Sequence, residues 1–162
     1  MELILKYFPN ITKRQRQQLS MLGDLYISWN NKINLISRKD INNIYEHHIL
    51  HSLSIIKVNI IRNNCEIIDI GTGGGLPGIP LAIMLPDVKF YLVDSIAKKI
   101  GVVNDIVKTL GLDNVKTEVV RAETINRKFD YIVSRSVMNL TVLYNSFNKL
   151  LYNNDFSGLI YL

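Results

Sequence analysis

The chain of 162 residues is 48% hydrophobic and 20% charged, which is typical of one globular domain large enough to bury a core without cross-links. A single cysteine excludes an internal disulfide, and no leader-like or membrane-length apolar run is found, so we expect a cytoplasmic protein without a membrane partner. The net charge of +5 favours a polyanionic partner such as nucleic acid.

The first predicted element is an amphipathic helix from about residue 13 to residue 31. Thr12-x-x-Gln15 has the spacing of a capping box, and apolar residues then recur at helical steps of three and four. The first turn is basic, which is typical of a solvated face but also suits an edge that contacts phosphates. Its three cations are Lys13, Arg14 and Arg16.

A second capping motif, Ser37-x-x-Asp40, predicts another helix, and this helix carries all three histidines of the chain. His47 and His51 lie one helical turn apart, but no thiol or carboxylate at ligand spacing completes a metal site, so we expect no metal. His48 lies on the apolar stripe of this helix. It is interpreted either as a packed residue or as one that faces a ligand pocket.

From residue 66 onward, predicted strands alternate with predicted helices, which indicates a parallel α/β sheet with right-handed crossovers. We therefore expect a Rossmann-like core at residues 61–162, preceded by a helical extension at residues 1–60, in one structural domain. The predicted strands are 66–70, 88–93, 115–120, 131–133 and 158–162, and the helices between them are 80–85, 96–110 and 140–152.

Four glycines fall within five positions after the first predicted strand. Glycine permits a positive φ and a close approach of the backbone to a ligand, and the helix that follows offers free N–H donors. The carboxyl ends of parallel strands meet in one crevice, where ligands bind in such folds. The polar residues at these strand ends are Asp69, Asp94, Glu123 and Arg135. The sequence therefore predicts a nucleotide-like ligand at this crevice.

Two ligand classes compete for the glycine loop. Gly73-x-Gly75-x-x-Gly78 matches the dinucleotide fingerprint of an NAD-type oxidoreductase, but it starts too far from the strand, and Asp69 would repel a pyrophosphate. The spacing Asp-x-Gly-x-Gly-x-Gly, with Asp94 after the next strand, resembles that of class I methyltransferases. Their cofactor, S-adenosylmethionine, carries a cationic sulfonium and ammonium, which an acid beside the loop would attract. A non-catalytic RNA-binding domain of the same fold is a third alternative.

Further motifs narrow the choice when they are taken in order along the chain. They are Trp29-Asn30, Asn34-Leu35, His48 to Leu50, Ser52-Leu53, Asp69 to Ala82, Val93 to Ser95, Lys98-Lys99, Arg121 to Glu123 and Ser134 to Ser136. This series resembles the bacterial 16S ribosomal RNA guanine-N7 methyltransferases, once called glucose-inhibited division protein B. The resemblance extends from about residue 29 to the last residue, and its most specific part is the run Gly-Gly-Gly-x-Pro-Gly-x-Pro.

The resemblance implies methyl transfer from S-adenosylmethionine to guanine N7 of 16S rRNA in the small ribosomal subunit, without a general base because N7 has a free lone pair. The glycines would hold the methionine end of the cofactor, Asp94 its ribose hydroxyls, and Glu123 would border its adenine. Arg135 would face and position the substrate. The implied cofactor residues are Asp69, Gly71, Thr72, Gly73, Gly75, Pro77, Asp94, Ser95, Ala122, Glu123 and Arg135. The implied RNA contacts, besides the basic first turn, are His48, Lys98 and Lys99.

The chain departs from the family pattern at two places. His51 stands where the family commonly has an aspartate, which leaves the role of that acid open. Family members continue past the fifth strand, whereas this sequence ends at Leu162, so we expect the fold without its last strands. The fifth strand would then be an apolar edge, and self-association of the expected monomer would use it.

Overall fold

A computed structural model describes residues 1–37 and 39–162 and contains a sheet of five parallel strands. The strands are β1 (Glu66–Ile70), β2 (Lys89–Asp94), β3 (Val115–Val119), β4 (Tyr131–Ser134) and β5 (Gly158–Tyr161). Their order across the sheet is β3-β2-β1-β4-β5. The predicted α/β class is confirmed, and each strand lies within one residue of its predicted bounds.

Most of the helices also lie close to their predicted positions. The α-helices are α1 (Glu2–Tyr7), α2 (Lys13–Asn30), α3 (His51–Lys57), α4 (Gly78–Met84), α5 (Ala97–Leu110) and α6 (Leu140–Phe147). Helix α1 is too short for a periodic pattern, and no helix was predicted there. Helix α6 ends before its predicted bound, because the chain tightens into a 3₁₀ turn at Asn148–Leu150.

The amino end of α2 carries the predicted capping box and also caps two other helices. Thr12 Oγ1 accepts from the Gln15 amide at 3.1 Å, and Gln15 Oε1 accepts from the Thr12 amide at 2.9 Å. The Gln15 side chain donates to the last carbonyls of α4, and Gln18 donates to the Leu110 carbonyl at the end of α5. Arg14 donates to the Gly111 carbonyl at 2.9 Å, where the dipole of α5 favours a cation. Polar side chains of α2 thus satisfy otherwise unpaired carbonyls of the core helices.

The second predicted helix differs most from expectation. It comprises a 3₁₀ turn at Ile41–Asn43, a π-helical segment at Ile44–Leu50, and α3. The capping motif predicted at Ser37-x-x-Asp40 is wrong in the role of Asp40, because its carboxylate accepts instead from His47 Nδ1 at 2.6 Å and from His48 Nε2 at 2.5 Å. A π-helix accommodates an extra residue per turn and is often found at functional sites.

The core has one layer on each face of the sheet. On one face, Ile67 and Leu92 pack with α2, α4 and α5 through residues such as Leu22. On the other face, Ile68 and the buried side of α6 form a smaller cluster around Phe147. Because β1 is buried on both faces after its first residue, Glu66, the rest of the strand is an apolar run interrupted by one aspartate.

Strands β3 and β5 form the two edges of the sheet. In β5, Gly158, Leu159 and Ile160 are half-buried and Tyr161 is exposed, so this strand is the expected apolar edge. Self-association through it stays a prediction. Across residues 1–37 and 39–162, no helix combines the length and the hydropathy that a membrane span requires.

Candidate active site

The carboxyl ends of β1, β2 and β4 open onto one cavity of about 480 Å³. Small-molecule sites usually enclose about 300–1,000 Å³. The structure brings nine of the sequence-predicted residues together in its wall. They are Gly71, Thr72, Gly73, Asp94, Ser95, Lys99, Ala122, Glu123 and Arg135. The predicted crevice therefore exists as one continuous site.

Several wall residues were not singled out from the sequence as site residues. Leu35 reaches the cavity from the segment after α2, and Gly74 lies inside the glycine loop. Val137, Met138 and Phe147 add an apolar wall after β4. Leu35 could have been found from the sequence, because it stands in one of the motifs that carry the family resemblance. No sequence pattern identifies the apolar wall, because it forms only when α6 packs against the sheet.

The glycine loop runs from the end of β1 to the start of α4. Gly71, Gly73 and Gly75 have φ values of +68°, +58° and +93°, a region that L-residues rarely adopt. At Gly75, a Cβ would lie 2.3 Å from Cδ1 of Ile79. At Gly73, apart from its chain neighbours, the only atom of the described residues within 4 Å of a Cβ position is the Gly71 carbonyl oxygen at 3.9 Å. The loop therefore presents bare backbone to the cavity.

Asp69 lies beneath this loop and has no exposed surface. One carboxylate oxygen, Oδ2, accepts from Thr72 Oγ1 at 2.7 Å and from the Gly78 amide at 2.9 Å. The other oxygen, Oδ1, is buried without a hydrogen-bond partner among the described residues. Burial raises the pKa of Asp69 to about 6, although its two hydrogen bonds and Arg135 oppose the shift. Asp69 thus supports the loop from below and does not line the cavity.

Asp94 links the end of β2 to the same loop. Its Oδ2 accepts from the Gly73 amide at 3.0 Å, and its Oδ1 accepts from the Ile96 amide at 2.9 Å. The side chain is almost buried but lines the cavity. A carboxylate has about four acceptor positions, so both oxygens can still accept from a ligand.

Arg135 follows β4, the strand that pairs with β1, and lines the same cavity. The preceding residue, Ser134, anchors this point by donating to the Ile70 carbonyl at 2.9 Å. Partial burial lowers the pKa of the Arg135 guanidinium, while the nearby Tyr26, Asp69 and Asp40 oppose that shift. Arginine nevertheless remains protonated in proteins. Over residues 1–37 and 39–162, this guanidinium makes neither a hydrogen bond nor an ion pair, so its donors face the cavity uncommitted.

The histidines of the N-terminal segment lie near Arg135 but outside the cavity wall. Hydrogen bonds from His47 and His48 lower the pKa of Asp40, which therefore accepts from both rings. Burial, opposed by the bond to Asp40, lowers the pKa of His48, and Arg135 lowers it further. Burial and Arg135 also lower the pKa of His51. In the described part of the chain, no group of three or more potential ligands is arranged to hold a metal ion.

The other predicted residues take varied positions. Gly75 and Pro77 are buried in the loop behind the cavity wall, and Lys98 is exposed beside Lys99. Lys13 and Arg16 are exposed on α2, whereas the guanidinium of Arg14 is bonded to the Gly111 carbonyl.

Solved structures with a similar fold include methyltransferases. The chain aligns with coclaurine N-methyltransferase bound to N-methylheliamine and SAH, with a TM-score of 0.59 and 15% identity over 70% of this chain and 35% of that chain. It aligns with a SAM-dependent methyltransferase from Aquifex aeolicus with a TM-score of 0.50 and 16% identity over 62% of this chain and 57% of that one. The fold is that of the class I S-adenosylmethionine-dependent methyltransferases.

Sequence comparison gives the family. A family model described as rRNA small subunit methyltransferase G matches residues 15–160. The ribosomal RNA small subunit methyltransferase G of Phocaeicola vulgatus is 59% identical over 86% of this chain and 67% of its own length. That of Porphyromonas gingivalis is 53% identical over 95% of this chain and 70% of its own length. The chain belongs to the rRNA small subunit methyltransferase G family, and it spans about two thirds of the length of these relatives.

Proposed function

We propose that this chain transfers a methyl group from S-adenosylmethionine to N7 of a guanine in 16S ribosomal RNA. The observation that carries the proposal is the cavity at the strand ends, which is lined by both a bare glycine loop and an uncommitted guanidinium. The family relatives named for methylation of small-subunit ribosomal RNA supply the substrate class.

The residues of the cavity fit this cofactor. The methionine end carries two cationic centres, and the loop beside it is bonded to Asp94 and lies over the buried Asp69, whose Oδ1 has no partner among the described residues. The Gly74 amide likewise has no hydrogen-bond partner within residues 1–37 and 39–162, so it is a donor available to a ligand carboxylate. Met138 and Phe147 offer an apolar surface for a planar base.

Asp94 would accept from the ribose hydroxyls, because its carboxylate lines the cavity and keeps free acceptor positions. Ser95 lies next to it, and Ala122 and Glu123 would border the adenine. The bound cofactor supplies a methyl group made electrophilic by the sulfonium. The chain therefore has to hold the acceptor base in line with that group, which is catalysis by positioning.

Arg135 is the residue we assign to substrate positioning. Guanine N7 has a lone pair and carries no proton, so no general base is needed for attack. The guanidinium donors would bind an acceptor on the RNA side, either a phosphate oxygen or guanine O6. The exposed Lys98 and the half-buried Lys99, which lines the cavity, would add contacts to the phosphate backbone. We also propose that His48, which lies near Arg135, contacts the RNA.

The decisive experiment measures transfer of a tritiated methyl group from S-adenosylmethionine to small ribosomal subunits that lack the modification, with the acceptor base mapped. We expect incorporation at one guanine N7. Calorimetric titration with the cofactor accompanies the assay. Absence of cofactor binding would overturn the proposal, and binding without transfer would favour the non-catalytic RNA-binding alternative. Binding of NADH instead would favour the dinucleotide alternative.

A further inference from the structure

Tyr26 connects the N-terminal helices to the glycine loop. This residue of α2 is completely buried, and its hydroxyl donates to the Gly74 carbonyl at 3.0 Å. Burial strongly raises the pKa of the Tyr26 hydroxyl, so the group keeps its proton and remains a donor. Within the described residues, this hydroxyl is the only hydrogen-bond partner of the Gly74 carbonyl.

Leu35 contacts the same glycine from another direction. Asn30, at the end of α2, accepts through Oδ1 from the Leu35 and Ile36 amides, both at 2.9 Å. These bonds fold the chain back so that Leu35 lies over Gly74, where a Cβ would be 3.5 Å from the Leu35 Cβ. Leu35 also lines the cavity. The Asn30 side chain therefore places an apolar wall residue against the loop.

Gly74 differs from its neighbours in the loop, because its contacts come from residues outside the sheet core. The neighbouring amides are bonded by residues of the sheet and of the loop itself: the Gly73 amide donates to Asp94 at 3.0 Å, and the Gly75 amide donates to the Thr72 carbonyl at 2.8 Å. Gly74 lines the cavity, and its amide has no hydrogen-bond partner among the described residues. Its orientation depends on the adjoining peptide group, whose carbonyl Tyr26 holds.

We propose that Tyr26 and Leu35 are positioning residues for the cofactor, which fix Gly74 so that its amide points to the methionine end. This inference rests on the proposed function. It assigns to the N-terminal helices a part in cofactor binding, in addition to any contact with RNA. When the Tyr26 hydroxyl is removed, the buried Gly74 carbonyl loses its only side-chain partner, and the loop then relaxes to other conformations.

The test compares Tyr26→Phe with Tyr131→Phe. Tyr131 is also buried and also donates to a backbone carbonyl, that of Ile60 at 2.6 Å, but it lies at the opposite end of β4. Both substitutions delete one buried hydroxyl, so both should lower the urea midpoint of unfolding. Only Tyr26→Phe should raise the dissociation constant for S-adenosylmethionine in calorimetric titration, by about 3–10-fold, which corresponds to the loss of one buried hydrogen bond.

Cofactor binding by the wild-type protein distinguishes failure of the proposed function from failure of the inference about Tyr26 and Leu35. Absence of cofactor binding by the wild type overturns the proposed function together with this inference. Binding by the wild type, with equal affinities in both tyrosine variants, overturns the inference alone. In methyl transfer, Tyr26→Phe should raise the KM for the cofactor and leave kcat at saturating cofactor within about 2-fold of wild type. A fall in kcat at an unchanged KM contradicts the assigned role.

Leu35→Ala is a second variant that leaves the Tyr26 bond intact. Leu35 is partly exposed, so its truncation should not prevent folding. We expect the dissociation constant for the cofactor to rise by about 2–5-fold, because Gly74 loses one of its two supports outside the sheet core. If Tyr26→Phe does not fold, this variant decides the question, and an unchanged dissociation constant overturns the proposal.

Discussion

The two walls of the cavity are built differently. On the loop wall, Asp69, Asp94 and Tyr26 bind the backbone of the glycine loop through hydrogen bonds of 2.9–3.0 Å. On the wall formed after β4, Arg135 has no partner among the described residues, and Ser136 and its neighbour on the carboxyl side are exposed. A preorganised wall needs no reorganisation when a small ligand binds. An open wall is suited to a large partner that brings its own contacts.

The difference between the walls suggests that the loop wall binds the cofactor and the Arg135 wall positions the substrate. Substitutions on the loop wall should change stability and cofactor affinity together, because the same bonds hold the loop and shape the site. Substitutions on the Arg135 wall should change turnover with little effect on stability. Substitutions on each wall test whether stability and turnover depend on different residues.

The largest effect is expected for Arg135→Ala. Because the guanidinium makes no bond within the described residues, its removal should leave the urea midpoint nearly unchanged. Methyl transfer to small ribosomal subunits should fall about 100–1,000-fold, the usual cost of losing a group that positions or stabilises the transition state. Arg135→Lys should restore only part of the rate, since lysine lacks the planar fork of donors. Activity within 10-fold of wild type in Arg135→Ala would remove this residue from the mechanism.

On the loop wall, Asp69→Ala should lower the free energy of unfolding by about 3 kcal/mol. The substitution deprives two buried donors, the Thr72 hydroxyl and the Gly78 amide, of their common acceptor. Urea denaturation measures the change, and Asp69→Asn is the control because its side-chain oxygen can still accept from both donors. A loss below about 1 kcal/mol in Asp69→Ala would contradict the supporting role.

Asp69 should also make stability depend on pH. Its pKa is raised from 3.8 to about 6, so the folded protein binds this proton more tightly than the unfolded chain. The bound proton therefore adds about 3 kcal/mol to the free energy of unfolding below about pH 4. This contribution is lost as the pH rises through about 6. Unfolding measured from pH 4 to 7 should therefore show a downward slope that is absent in Asp69→Asn. Equal slopes in the two proteins would contradict the burial of an ionisable carboxyl at this position.

Asp94→Asn should weaken cofactor binding by about 1–2 kcal/mol, because an amide replaces the carboxylate that we propose as the acceptor for the ribose hydroxyls. Stability should change less than in Asp69→Ala, since the amide oxygen can still accept from the Gly73 or Ile96 amide. Calorimetric titration with S-adenosylmethionine measures the affinity. Unchanged affinity would mean that Asp94 serves the loop alone.

The loop wall is also the part of the site that sequence patterns predict best. The glycine spacing, the acid at the end of β1 and the acid at the end of β2 are local features, and the parallel sheet brings them together. The bond from Tyr26 to Gly74 was not predicted, because it joins residues 48 positions apart. The π-helical segment was also missed, since the pairing of Asp40 with two histidines overrides the ordinary helical pattern.

The smallest effect is expected on the Arg135 wall, for Ser136→Gly. Ser136 has a φ of +52°, a left-handed conformation that costs an L-residue about 1 kcal/mol and that glycine adopts freely. The substitution should therefore raise the free energy of unfolding by about 0.5–1 kcal/mol. The same change in the middle of α2, Ser20→Gly, should lower it by a similar amount, because glycine weakens a helix interior. Urea denaturation of both variants gives the sign of the change in the free energy of unfolding. If Ser136→Gly stabilises the protein but reduces turnover, the wall at Arg135 holds a strained backbone that the reaction uses.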